Sequence, residues 1–283
     1  MNIVPMKDLL EKAYKEGYAV PALNGSHLEF YKAFIEVAAE LKSPLIIQAA
    51  YEEVLYANAK NIVEMIKNFG QDKDIDVAIH LDHGPSFKAA VECIKGGFTS
   101  VMYDGSTLPF EENVANTKKV VDVAHAIGVT VEGELGTIGQ TTEFGEKIDN
   151  AQLTDPKLAK EFVERTGIDC LAPAFGTAHG LYEGEPKLDF ELLDTISKTV
   201  NIPIVMHGGT GVPEKDVKKA ISLGVSKINV STALRKAFID EMKKYMKENP
   251  DNLMTMDIMG AATEALKEEA RNVIERFGSA NRL

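Results

Sequence analysis

Two cysteines, Cys93 and Cys170, are all that the 283 residues contain. They are too few and too far apart for a disulfide framework, so a reducing cytoplasm is the expected setting. Positive charge is also short. Thirty-one Lys and Arg against 43 Asp and Glu leave a net charge of −12. Such a surface would repel a nucleic acid or an anionic membrane, and neither is expected as a partner. A phosphorylated small molecule stays open, because a local pocket can be positive on an acidic protein. No apolar stretch reaches membrane-spanning length. The N-terminal MNIVPMKDLLEKAYKEG lacks a cleavable signal pattern and reads as a short amphipathic helix.

What the chain does have is alternation. Eight short apolar segments, rich in β-branched residues, are YAVPALN (18–24), PLIIQAA (44–50), DVAIHLD (76–82), TSVMYDG (99–105), GVTVEGELG (128–136), DCLAPAFG (169–176), IPIVMHGG (202–209) and SKINVST (226–232). Between them run segments with apolar residues at helical spacing, such as HLEFYKAFIEVAAELK and FEENVANTKKVVDVAHAIG. DPKLAKEFVERTG opens on Asp155–Pro156 and closes on Gly167, a helix with both punctuation marks. Eight βα units favour a closed (β/α)8 TIM barrel, with an N-terminal helix and a C-terminal helical extension from about Thr255 to Phe277, as one domain over residues 1–283. An open doubly wound sheet is the alternative. The polar stretch TIGQTTEFGEKIDNAQ (137–152) falls outside the repeat and reads as a long functional loop.

The segment ends carry the chemistry. Asp82–His83–Gly84 closes the third, Glu132 and Glu134 sit in the fifth, His179 follows the sixth within GTAHG, and His207–Gly208–Gly209 closes the seventh. Barrel active sites form at the C-terminal face, so these groups converge on one mouth. Three histidines from three strands suffice to hold a catalytic zinc and leave positions open for substrate. His80, inside its strand, reads as a packed or ligand-supporting residue, and His27 and His125 as structural residues on helices. One conflict stands: alternation puts Asp82 and His83 on opposite faces. Both reach the mouth only if the chain turns there, and Gly84–Pro85 is the candidate turn.

Two loops suit a phosphate. HGGTGVP (207–213) and INVST (228–232) each run into a helix, and backbone N–H groups in glycine loops and at helix starts bind anions. Ser231 and Thr232 add hydroxyl donors. A metal beside a phosphate pocket can polarise a carbonyl and stabilise an enediolate, while a nearby carboxylate moves a proton. That is equipment for making and breaking a carbon–carbon bond in a sugar phosphate. A metal-dependent sugar-phosphate epimerase would use the same equipment.

The set HLDHG, VMYDGSTLPFEENV, VEGELG, ERTGIDCLAPAFGTAHG, HGGTGVP and SKINVST resembles the class II, zinc-dependent ketose-bisphosphate aldolases, from YAVPALN to the terminal GSANR. The resemblance implies a (β/α)8 barrel that reversibly cleaves fructose 1,6-bisphosphate, or tagatose 1,6-bisphosphate or a related sugar-acid phosphate. It implies Asp82 as catalytic acid/base, His83, His179 and His207 as zinc ligands, and Glu134 as an alternative zinc contact when the metal shifts. Asn24, Gly180, Gly208, Gly209, Thr210, Asn229, Val230, Ser231 and Thr232 would hold dihydroxyacetone phosphate. Main-chain groups near Ala178, Gly180, Gly208 and Thr210 would take a monovalent cation, Na+ or K+. A homodimer or homotetramer is expected.

The chain also departs from that pattern. GTIGQTTEFGEK stands where many members have GGxED, leaving Glu143 and Glu146 as the loop acids. Ala49 and Ala50 stand where fructose-type members often carry a hydroxyl, and Glu183 stands where several have lysine. Arg235, Lys236 and Arg282 are candidates for the second phosphate. A Schiff-base mechanism is disfavoured, because the sixth segment has no lysine and Lys227 is read as opening the eighth strand, at the wrong end.

Overall fold

The computed structural model describes residues 1–141, 147–148, 152–182 and 184–283. In chain order its elements are β1 (Asn2–Ile3), α1 (Met6–Glu16), β2 (Val20–Asn24), α2 (Leu28–Glu40), β3 (Leu45–Ala50), α3 (Tyr51–Ala57), α4 (Ala59–Gly70), β4 (Asp76–Gly84), α5 (Phe87–Gly96), β5 (Ser100–Tyr103) and α6 (Phe110–His125). They continue with β6 (Thr130–Leu135), β7 (Gly139–Thr141), β8 (Lys147–Ile148), α7 (Pro156–Thr166), β9 (Cys170–Pro173), β10 (Ala178–His179), α8 (Phe190–Val200), β11 (Ile204–Met206), α9 (Glu214–Ser222), β12 (Val225–Val230), α10 (Thr232–Glu248) and α11 (Thr255–Arg276).

The eight apolar segments are the eight barrel strands β2, β3, β4, β5, β6, β9, β11 and β12, all parallel, and the pairing of β4 with β5 closes the ring. This is the (β/α)8 barrel, with α1 before it and α11 after. β1 was not foreseen. It lies along the start of β4, Asn2 opposite Asp76, ahead of His80 where β5 takes over. The 137–152 stretch is not wholly loop: β7 and β8 pair antiparallel, and β10 pairs with β7. Glu143, Glu146 and Glu183 lie outside the described residues.

Local chemistry explains the helix ends. Asp155 accepts from the Lys157 and Leu158 N–H groups, Pro156 occupies the first turn, and Gly167 ends α7 at φ +74°. His27 is the residue before α2 rather than part of it, and its ring meets Glu29.

The barrel interior is apolar below and polar above. Met6, Leu9, Leu10 and Ala13 of α1 plug the lower end against Val20, Ala22, Ile46, Ala78, Cys170, Ala172 and Val205. Burying one such leucine contributes roughly 1.5–3 kcal/mol. Asp169, just before β9, accepts from Lys7 and from the Val131 N–H and meets His125, tying this lower end together. Side-chain alternation then carries the interior face upward from Ala78 through His80 to Asp82. The site stands on this polar upper layer.

Candidate active site

His83 resolves the conflict read in the sequence. Its φ is +49°, and the β4–β5 register shifts between Leu81 and Gly84. The turn therefore falls on His83 itself, not on Gly84–Pro85. A left-handed residue inside a strand breaks the alternation, and Asp82 and His83 both line one cleft.

That cleft, of about 370 Å³, lies between the ends of the barrel strands. Asn24, Asp82, His83, His179, Gly208, Asn229 and Arg235 are among its walls. Asp82 is fixed from two sides: Asn24 Nδ2 donates to its Oδ2 at 2.9 Å and Asn229 Nδ2 to its Oδ1 at 3.1 Å. Gln48 Nε2 donates to Asn24 Oδ1 at 2.7 Å and sets the orientation of that amide. Burial pushes the Asp82 carboxyl up. The charges of His83 and Lys227 and the Asn24 amide outweigh it and bring it to about 2.

The ligand atoms of His83, His179 and His207 all lie within 4.8 Å of one another. Two of the rings are oriented through their far nitrogens. His83 Nδ1 meets Asp104 Oδ2 at 2.8 Å, and His207 Nε2 meets Glu132 Oε1 at 2.8 Å. The near nitrogens, His83 Nε2 and His207 Nδ1, stand 3.0 Å apart. Two nitrogens on one tetrahedral zinc, each about 2.0–2.1 Å from it, stand roughly 3.3 Å apart, so the donor set fits a single ion. Buried Glu134 Oε2 has no hydrogen-bond partner, as expected of a group with a ligand to meet. His83, Asp104 and Glu134 form a second group within 4.8 Å. Burial and Asp104 push Glu134 up to about 8.

On the other side of the cleft, Gly208 has φ +66°, and an added Cβ would stand 2.2 Å from Ala178 O. Thr210 Oγ1 accepts from the Ala233 N–H at 3.2 Å, joining this loop to the start of α10. Ser231 and Thr232 stand at the N-terminus of α10, where the helix dipole favours an anion.

The family model described as fructose-bisphosphate aldolase class-II matches residues 4–282. The chain belongs to the class II fructose-bisphosphate aldolase family. It is an aldolase, an aldehyde-lyase. It is 44% identical to the probable fructose-bisphosphate aldolase of Bacillus subtilis, over 99% of each chain. It is 43% identical to the D-tagatose-1,6-bisphosphate aldolase subunit GatY of Klebsiella oxytoca, over the full length of both. The crystal structure of the YdjI aldolase from Escherichia coli K12 superposes with a TM-score of 0.87 at 35% identity, over 99% of each chain.

Within this aldolase, most residues singled out from the sequence meet at the mouth, but not all line the cleft. Gly209 gives its N–H to Asn229 O at 3.0 Å, which uses that donor between β11 and β12. Val230 is fully buried in the layer between strands and helices, as alternation from inward Asn229 requires. Of the three basic candidates, only Arg235 reaches the cleft. Lys236 pairs with Asp240 along α10, and Arg282 bonds Gly278 O and Glu16 at the opposite end of the barrel.

Lys227 is a correction. It does not open its strand, because β12 begins at Val225. It shares the inward face with Asn229, is fully buried, and pairs with Glu132 at 2.8 Å. Sequence reading also passed over Asp104, Glu52, Glu53 and Tyr182. Asp104 directly follows β5, the same signal that picked out Asp82. Glu53 lines the cleft and accepts from the Ala50 N–H. Tyr182 Oη accepts from the Ala178 N–H and donates to Gly208 O, both at 2.9 Å, linking the two loops that carry His179 and His207. Nothing local in HGLYEGEP announces that bridge.

Proposed function

We propose that this aldolase reversibly cleaves fructose 1,6-bisphosphate to dihydroxyacetone phosphate and glyceraldehyde 3-phosphate. The observation that carries the reading is one cleft that joins His83 and His179, with buried His207 clustered behind them, to an amide-fixed carboxylate and a glycine-rich anion cradle. His83, His179 and His207 would hold Zn2+, with Glu134 as an alternative contact. When bound, the ion supplies polarisation of the ketose carbonyl and offsets negative charge developing there.

The chain's own residues do the rest. Asp82 takes the proton from the C4 hydroxyl during cleavage and returns it to the aldehyde oxygen in condensation. Asn24 and Asn229 hold that carboxylate in place. Gly180, Gly208, Thr210, Ser231 and Thr232 hold the phosphate next to the α10 N-terminus. Gly209 and Val230 serve through the backbone that shapes this cradle. Carbonyl groups near Ala178, Gly180, Gly208 and Thr210 suit a monovalent cation, Na+ or K+, beside the phosphate. Among the described residues, Arg235 is the one Lys or Arg side chain that lines the cleft, and it is the candidate for a second phosphate.

Tagatose 1,6-bisphosphate is the second reading, favoured by the 43% full-length identity to an enzyme named for that sugar. The pair differs in one stereocentre, at C4, next to the proton that Asp82 moves. We also infer a single domain acting as a homo-oligomer in the cytoplasm. No helix among the described residues is long and apolar enough to cross a membrane. Side-by-side cleavage of the two bisphosphates by zinc-loaded protein tests the assignment. Triose phosphate from neither would overturn it, and a higher kcat/KM for tagatose bisphosphate would replace fructose as the substrate.

A further inference from the structure

Glu132 is not at the mouth. It lies one layer below, inside the barrel, with its side chain fully buried. Its two oxygens have different partners. Oε1 stands 2.8 Å from His207 Nε2. Oε2 stands 2.8 Å from Lys227 Nζ and 3.4 Å from His80 Nε2. His80 is anchored in turn through Nδ1 to Ser100 Oγ at 2.8 Å. The side chains of Glu132, His80, His207 and Lys227 are all removed from solvent.

We propose that the buried Lys227–Glu132 pair is a positioning unit that fixes the ring of His207 and presents its Nδ1 to the metal. The proposal rests on the metal reading given above and goes beyond it, because neither residue touches metal or substrate.

Three physical points carry it. First, an ionised carboxylate only accepts hydrogen bonds. The His207 nitrogen 2.8 Å from Glu132 must therefore bear the proton, and the lone pair is left on Nδ1. That atom is the one 3.0 Å from His83 Nε2, on the cleft side. Second, a carboxylate in a dry interior is costly unless a cation compensates it. Lys227 supplies the compensation from the adjoining face and restrains Oε2, so that Oε1 alone is left to aim at the histidine. Third, a buried ion pair is a poor device for stability alone, since apolar side chains of like volume fill such a space at equal or lower cost. Its placement directly beneath a ligand histidine, where a carboxylate sets ring orientation and raises basicity, gives it a purpose that packing does not.

The test uses the full chain, metal-free and then loaded. Zn2+ affinity is measured by competition with a chromophoric chelator, and Co2+-substituted protein is read by its visible d–d absorption. Thermal unfolding of the metal-free forms is followed in parallel. Lys227→Met and Glu132→Gln are each expected to weaken Zn2+ binding by roughly 10- to 100-fold and to alter the Co2+ spectrum. Each single change leaves one buried charge alone, and where one of them fails to fold the double variant decides. The double variant Lys227→Met/Glu132→Gln removes both charges, and it is expected to fold and still to bind weakly. A folded variant of this set with wild-type affinity and an unchanged Co2+ spectrum would overturn the inference, whatever its melting temperature. His207→Ala is the control. If it binds Zn2+ like wild type, the metal reading itself fails; if it loses Zn2+ while Lys227→Met does not, only the positioning role fails.

Discussion

Nε2 of His83 and Nδ1 of His207 face each other across 3.0 Å, each ring held from behind by a carboxylate, Asp104 for one and Glu132 for the other. The two rings differ in how they hold a proton. Burial opposes charge on both. At His83 it is outweighed by Asp82, the Asp104 hydrogen bond and Glu134, which hold the imidazolium up to about 10. At His207 burial prevails and the ring is pushed well below 6.5. His179 is lowered to about 4, again by burial first and then by charge on His83.

Metal uptake is therefore expected to release about one proton per ion near neutral pH, and that proton comes from His83. Affinity should rise with pH, by up to about tenfold per unit, until the neighbourhood of pH 10. The sign for stability is the opposite. A folded value raised from 6.5 to about 10 gives the metal-free protein stability that is full below pH 6.5 and gone above about 10. Glu134, raised from 4.5 to about 8, acts in the same sense. Between about pH 7 and 10 these groups make the metal-free form less stable as pH rises. Proton release on Zn2+ addition, read with an indicator dye in weak buffer, checks the first point, and melting curves across pH check the second.

Stripping the ion with a chelator should abolish cleavage and leave the fold. The barrel core and the α1 plug owe nothing to the histidine cluster. Far-UV circular dichroism should stay unchanged while triose phosphate production stops, and Zn2+ should restore it. Parallel loss of both signals would make the ion structural.

Asp82→Ala is expected to give a folded, zinc-binding protein with kcat down by roughly a hundredfold or more, the range for loss of a general acid–base group. Zn2+ content by atomic absorption separates this from loss of metal. Turnover close to wild type would remove Asp82 from its role.

Gly208→Ala should strike the phosphate end. The residue sits at φ +66°, and the new methyl group would stand 2.2 Å from Ala178 O. Such strain costs about 1–3 kcal/mol. The loop must shift to relieve it. KM for the bisphosphate and the inhibition constant of inorganic phosphate should rise together, by roughly 5- to 100-fold. An unchanged phosphate constant would place the anion elsewhere.

Leu10→Ala probes the other end of the barrel. Leu10 is fully buried in the plug, so the substitution should cost about 2–5 kcal/mol of stability. None of the cleft residues belongs to that cluster, and kcat at about 25 °C should be close to wild type. Denaturant unfolding and steady-state kinetics on the same sample decide the point.

The barrel was legible in the chain because the strands are short apolar runs, β-branched in all but β9, and several helices carry their own period and punctuation, as Asp155, Pro156 and Gly167 show for α7. The mouth was legible because titratable groups stand at strand ends, as at Asp82 and His83. What sequence could not supply was register and backbone state. Lys227 looked like a strand opener until β12 proved to start two residues earlier, at Val225. Asp82 and His83 looked opposed until His83 took up φ +49°. Tyr182 joins Ala178 to Gly208 through bonds that no periodicity announces.

The ladder between β10 and β7 sets Ala178 opposite Gly139 and His179 opposite Gln140. A histidine of the cluster is thereby one rung of a structure whose other rail lies in the connection after β6. Replacing that connection with one from a relative would change more than the connection itself. It would also act on the backbone that carries His179, one of the three clustered histidines.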